Sequence, residues 1–103
     1  MKLKNKTRLL NELAKEVENP KEFIRGVMAL QNQDIDDFYA KSKITPQYFH
    51  VIMSQLRTGK QSIGTALCVK ISRGLDINPF ILNRIIGDYN LKRYLSKLEN
   101  GTD

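Results

Sequence analysis

Residues 45–60 read TPQYFHVIMSQLRTGK, and their periodicity decides the fold class. The Thr45 hydroxyl suits a helix cap, and Pro46 suits the first helical position, where no backbone donor is needed and φ is already set. Phe49, Ile52, Met53 and Leu56 follow at i, i+3, i+4 and i+7, within about 100° of one another around a helix. That side turns inward. The opposite side carries Gln47, Val51, Ser54 and Thr58, flanked by His50 and Gln55. It holds no acid and several groups that exchange hydrogen bonds, a surface suited to base edges.

Outward from this stretch the chain is punctuated at helical intervals. Its three prolines all follow Asn or Thr, at Asn19-Pro20, Thr45-Pro46 and Asn78-Pro79, and each precedes an apolar-periodic run. This is one helix-start signature used three times. Phe23, Ile24, Val27 and Met28 or Leu30 form a stripe after Pro20. Asp34 opens a short helix through Phe38 and Tyr39 to about Ser42, with Asp36 and Asp37 in the first turn, where the helix dipole favours negative charge. Gly59 stops the central helix and Ser62 is placed to cap the next, whose Leu67, Val69, Ile71 and Leu75 run to an end at Gly74. A helix from Pro79 carries Phe80, Leu82, Ile85 and Ile86, and Gly87-Asp88 separates it from a final amphipathic piece with Leu91, Tyr94, Leu95 and Leu98. About Asn5 to Val17 forms a further N-terminal helix with Leu9, Leu10, Leu13 and Val17 on one side. No alternation of β-branched and polar residues appears, so the fold reads as all-α.

A chain of 103 residues with 41% apolar content has room for one core. The expected division is a basic N-terminal helix or arm over 1–18, one domain over 19–99 and a disordered tail over 100–103. The formal charge of +6 favours a polyanionic partner, and its distribution says more than its sum. Residues 45–75 hold four Lys/Arg and no carboxylate, so the stretch that would approach phosphate is free of repulsion. The single cysteine, Cys68, excludes an internal disulfide and fits a reduced, cytoplasmic setting. The first residues have early lysines but no apolar run after them, unlike a secretory signal, and no segment approaches the ~20 apolar residues that span a bilayer.

A short helix, a break, a second helix with an inner stripe, Gly-Lys and two more helices is the order of a helix-turn-helix domain. Over about Pro20 to Ile86 the chain resembles the lambda-repressor-like family, also called the xenobiotic-response-element family. The resemblance is carried by Ile44-Thr45, by Tyr48-Phe49, by Arg57-Thr58-Gly59-Lys60 and by the run Ala66 to Phe80. It implies a five-helix DNA-binding domain, here with an extra N-terminal helix and a short C-terminal helix. Three features depart from the family pattern. Tyr39 stands where a small residue is usual at the helix crossing, Lys43 where the turn usually has Gly, and about four extra residues between Thr45 and Gly59 add one helical turn, ~5.4 Å.

The resemblance implies that the helix 46–58 enters the major groove and reads bases with Gln47, Tyr48 or His50, Val51 and Ser54. Gln pairs bidentately with adenine, and Val contacts a thymine methyl. Gln33, Thr45, Arg57, Thr58, Lys60 and Gln61 would hold the DNA backbone and set register. One such module neutralises few phosphates, so a homodimer on a palindromic operator is expected. Ile81, Ile85, Tyr89, Tyr94, Leu95 and Leu98 form the first candidate contact, and Leu9, Leu10 and Leu13 the second. Plainer readings stand beside these. His50 is equally an incidental surface residue, Tyr48 a packing residue, Cys68 core, and the Lys2, Lys4, Lys6 and Arg8 cluster either a solvated tail or a phosphate-binding arm. One His and one Cys offer no metal site and no nucleophilic machinery. The chain reads as a small DNA-binding transcriptional regulator of the phage or plasmid repressor type, without enzymatic activity or cofactor. An antitoxin or adaptor that turns the fold toward a protein partner is the alternative.

Overall fold

The computed structural model describes the backbone of residues 3–58 and 64–100, and the side chains of 6–56 and 64–100. The described residues form six helices and no strand: α1 (Leu3–Glu16), α2 (Pro20–Leu30), α3 (Ile35–Ser42), α4 (Pro46–Thr58), α5 (Thr65–Leu75) and α6 (Pro79–Glu99). None is long and apolar enough to cross a membrane.

The helix starts follow the residues that signalled them. Asn19 Oδ1 accepts from the Glu22 N–H at 3.0 Å, Thr45 Oγ1 from the Tyr48 N–H at 3.2 Å, and Asn78 Oδ1 from the Phe80 N–H at 2.8 Å. A proline follows each cap, where its missing N–H costs nothing. Asp34 caps α3 through the Asp36 N–H. Ser62 lies outside the described residues, and Gly64, which has no side chain to cap with, precedes the first residue of α5.

The ends of α2, α3 and α5 use left-handed residues other than glycine: Asn32 (φ 50°), Lys43 (φ 63°) and Asp76 (φ 57°). At Asn32 the Gln33 N–H reaches Met28 O at 2.8 Å, and at Asp76 the Ile77 N–H reaches Ser72 O at 3.0 Å, the bonds that satisfy a helix's last carbonyls. Gly74 therefore does not end α5. It lies inside the last turn with no Cβ because the Phe38 ring and Ser42 press against it: a Cβ there would come within 3.0 Å of both. α3 makes its broadest contact with α5 at this seat. The inward face of α5 is correspondingly rotated from the sequence reading. Cys68, Ile71 and Leu75 are buried, while Leu67 and Val69 lie half-buried beside them.

One core joins all six helices: Leu10 of α1, Phe23, Ile24 and Val27 of α2, Phe38 of α3, four residues of α4, and Leu82, Ile85, Ile86 and Tyr89 of α6 among others. The N-terminal helix is a docked element. Leu10 enters the core, Leu13 covers Gly26, the Lys6 ammonium bonds Asp76 O, and Arg84 donates to Asn11 at 2.5 Å. Tyr89 Oη shares its one hydrogen between Ala14 O at 2.7 Å and Val17 O at 3.2 Å, tying α6 to the end of α1. Arg8 pairs with Glu12 along the surface of α1.

The expected break at Gly87-Asp88 is absent, and α6 runs unbroken for 21 residues. A mid-helix glycine costs about 1 kcal/mol relative to alanine. Burial of Ile85 and Ile86 before it and of Tyr89 after it outweighs that cost, since each buried aliphatic side chain contributes ~1.5–3 kcal/mol. Ile85 and Tyr89 are thereby taken from the first candidate dimer contact into the core, as Leu10 is from the second.

Gly74→Ala is expected to lower stability by about 2–3 kcal/mol by overpacking the Phe38 seat, measured as a fall in the urea midpoint. Burial raises the Tyr89 phenol above its ordinary value of 10. The folded chain then keeps a proton that the unfolded chain loses first, so stability falls as pH rises past 10. Tyr89→Phe is expected to cost about 1 kcal/mol at neutral pH and to flatten that alkaline decline. Urea titrations of both chains on either side of pH 10 measure the difference.

Candidate nucleic-acid interface

The α3–α4 turn is built from three residues with distinct tasks. Lys43 takes the left-handed conformation and its N–H donates to Tyr39 O at 3.0 Å. Ile44 is buried, and its N–H donates to Ser42 Oγ at 3.2 Å. Thr45 caps α4. Ile44 just before the cap and Phe49 four residues after it are both buried, the arrangement of a hydrophobic staple that fixes the angle at which the chain enters the helix.

Phe49, Ile52, Met53 and Leu56 are all buried, which sets the rotation of α4. Phe38, Tyr39 and Phe49 stack edge-on and tilted where α3 meets α4, with centroid separations of 4.9 Å for Phe38–Phe49, 5.7 Å for Tyr39–Phe49 and 6.0 Å for Phe38–Tyr39. Aromatic rings occupy the crossing in place of a small residue. The close approach of α3 is to α5, at Gly74.

This rotation leaves Gln47, Tyr48, His50, Val51 and Ser54 on the surface, with Tyr48 50% and Val51 49% exposed. The five form the outer face of the N-terminal two turns and more of α4, with exposed Thr45 at their head. Arg57 and Thr58 side chains, and Lys60 and Gln61 entirely, lie outside the described residues.

Gln33 has a different occupation. It is half-buried, and its amide donates to Gly74 O at 2.5 Å and to Asp37 Oδ2 at 3.0 Å. Gln31 beside it donates to Leu75 O at 2.7 Å and to Gln33 Oε1 at 3.2 Å. The pair reaches from the end of α2 to cap the last carbonyls of α5. A phosphate contact from Gln33 requires these bonds to break, because both amide hydrogens are engaged within the fold.

Two cations absent from the sequence-based set stand beside the face. Lys21 and Arg25, one turn apart on α2, line a groove of about 390 Å³ with Met28, Ile35, Tyr39, Met53 and the exposed His50 and Ser54. Their spacing alone marks only a solvated helix face; the packing of α2 on α4 brings them to the exposed face of α4. Away from this face, Cys68 is buried as expected, its Sγ lies 3.7 Å from Pro79 O, and burial pushes its thiol above its ordinary value. Among the described residues no three His, Cys, Asp or Glu side chains gather as metal ligands.

Comparison of the chain with known protein families, with curated proteins and with solved structures returned no match. The assignment of a role to the α4 face therefore rests on the chemistry of its own residues.

Lys43 carries a side chain in a backbone region that costs an L-residue roughly 1–2 kcal/mol. Lys43→Gly is expected to raise stability by about 1 kcal/mol, read as an upward shift of the urea midpoint; an unchanged or lower midpoint would mean that the Lys43 side chain contributes more than its backbone costs.

Proposed function

We propose that the chain is a sequence-specific double-stranded DNA-binding regulator of the small repressor type, with α4 as the major-groove reading helix. One observation carries this reading. The exposed face of α4 presents an amide, an imidazole, a phenol, a hydroxyl and an apolar methyl pair in a segment from Ile44 to Leu75 that contains no carboxylate. Base edges in the major groove are read by that set of groups, and an acid there would be repelled by phosphate. Gln47 suits adenine and Val51 a thymine methyl, with Tyr48, His50 and Ser54 beside them. Lys43, Lys21 and Arg25 flank the face from the turn and from α2 and can neutralise phosphates, with Arg57, Thr58, Lys60 and Gln61 following in the sequence. The reading is completed by a homodimer on a palindromic operator, since two modules about one DNA turn apart (~34 Å) multiply a contact that is weak singly. No catalysis is assigned to the chain.

The Lys21–Arg25 groove favours a second reading, an antitoxin-like or adaptor role. Its floor of Met28, Ile35, Tyr39 and Met53 beneath two cations fits an acidic amphipathic segment of another protein. Selection of duplexes from a random pool distinguishes the two. Enrichment of a two-fold-symmetric sequence, bound with an affinity that falls steeply with salt, supports the DNA reading. Failure to enrich any sequence overturns it. In the first case, replacing Gln47 and Val51 together by Ala is expected to relax selectivity at one or two positions per half-site, by ~5–100-fold in the preferred-to-wrong base ratio, with an unchanged urea midpoint because both side chains are exposed.

A further inference from the structure

α6 is apolar on two opposite sides. Its inner face, Leu82, Ile85, Ile86 and Tyr89, is buried in the core. Half a turn away, Phe80, Arg84, Gly87, Leu91, Tyr94 and Leu98 follow at alternating steps of four and three residues, and all six are exposed along the whole helix. Alternation of four and three is the seam of a two-helix contact. Phe80 is 82% exposed, and Leu91, Tyr94, Leu95 and Leu98 range from 58% to 41%.

We propose that this seam is a homodimer interface in which α6 of one copy lies antiparallel to α6 of a second, with the two-fold axis near residue 89. In that register Phe80 faces the partner's Leu98, Arg84 faces the partner's Tyr94, and Gly87 faces the partner's Leu91. The sequence selects this direction. A parallel pair would bury Arg84 on Arg84 and Gly87 on Gly87, a like-charge contact and a void. The antiparallel pair sets Arg84, whose guanidinium is held by Asn11, against a phenol ring in place of a second cation, and seats Leu91 over Gly87, where a Cβ would meet open space. The seam is complementary to its own two-fold copy in size and in apolarity, which is why a second copy of this chain is its occupant. Covering the exposed apolar side chains of both copies removes on the order of 1,000 Å² from water, the threshold of a specific interface.

The interface supplies the partner that the operator reading above requires, and it is tested without DNA so that the two stand or fall separately. Sedimentation equilibrium of the native chain is expected to give twice the chain mass, and Leu91→Asp to halve it while the helical circular dichroism stays unchanged. Phe80→Cys and Leu98→Cys chains, mixed and oxidised, are expected to form a disulfide-linked pair, while each alone does not. A native monomer at high micromolar concentration, an undiminished mass for Leu91→Asp, or self-linkage of Phe80→Cys overturns the proposal. A monomer that still selects a duplex sequence would remove the interface and leave the DNA reading; a dimer that selects none would do the reverse.

Discussion

Phe38 has no solvent exposure because Gly74 offers it a bare stretch of backbone. The ring fills the space that a side chain on α5 would otherwise occupy, and α3 is drawn onto α5 until Ser42 touches the same glycine. The rest of the arrangement depends on that seat. It fixes where α3 ends, hence where Lys43 turns the chain, hence the direction in which α4 sets out. The same contact brings the end of α5 within reach of Gln31 and Gln33, which cap its final carbonyls from the end of α2. Apolar packing and backbone hydrogen bonding thus hold the same three helices in one relation, and buried carbonyls that would cost ~1–3 kcal/mol each if left unpaired are satisfied.

The exposed face of α4 follows from what lies beneath it. Phe49, packed against Phe38 and Tyr39, and the Ile44 staple leave α4 one rotational setting, with amide, hydroxyl and imidazole groups outward. Helix pairs that cross on small residues approach closely; this one crosses on three aromatic rings. The rings fill the space where α3 meets α4, and the groove beside His50 that Lys21 and Arg25 line opens between α2, α3 and α4. The aromatic contacts between α3 and α4 and the groove beside them thus share Tyr39 and Phe49.

α6 joins an inside to an outside. Its first three turns bury Leu82, Ile85, Ile86 and Tyr89, and Tyr89 fastens the end of α1 through two carbonyls. Its opposite face remains uncovered from Phe80 to Leu98. Gly87 sits between these demands without breaking the helix, because Ile86 before it and Tyr89 after it are anchored in the core.

The sequence by itself determined the all-helical class, the starts of α2, α3, α4 and α6, and the inward stripe of α4. These are local matters: a cap and its proline act within four residues, and a stripe repeats within two turns. It also placed Gln47, His50, Val51 and Ser54 on one outer face, since a face is defined by the helix that carries it. Tertiary structure alone decided the rest. Gly74 read as a stop signal because a glycine's absent side chain is silent about what will lie against it; Phe38, 36 positions earlier in the sequence, supplies the reason. The capping role of Gln33 was not legible because its acceptor, Gly74 O, lies 41 residues away. Gly87 read as a break because its cost is local while the burial that overrides it comes from α1, α2 and α5. Contacts between distant segments depend on how whole helices settle against each other, and no spacing within a single helix encodes that.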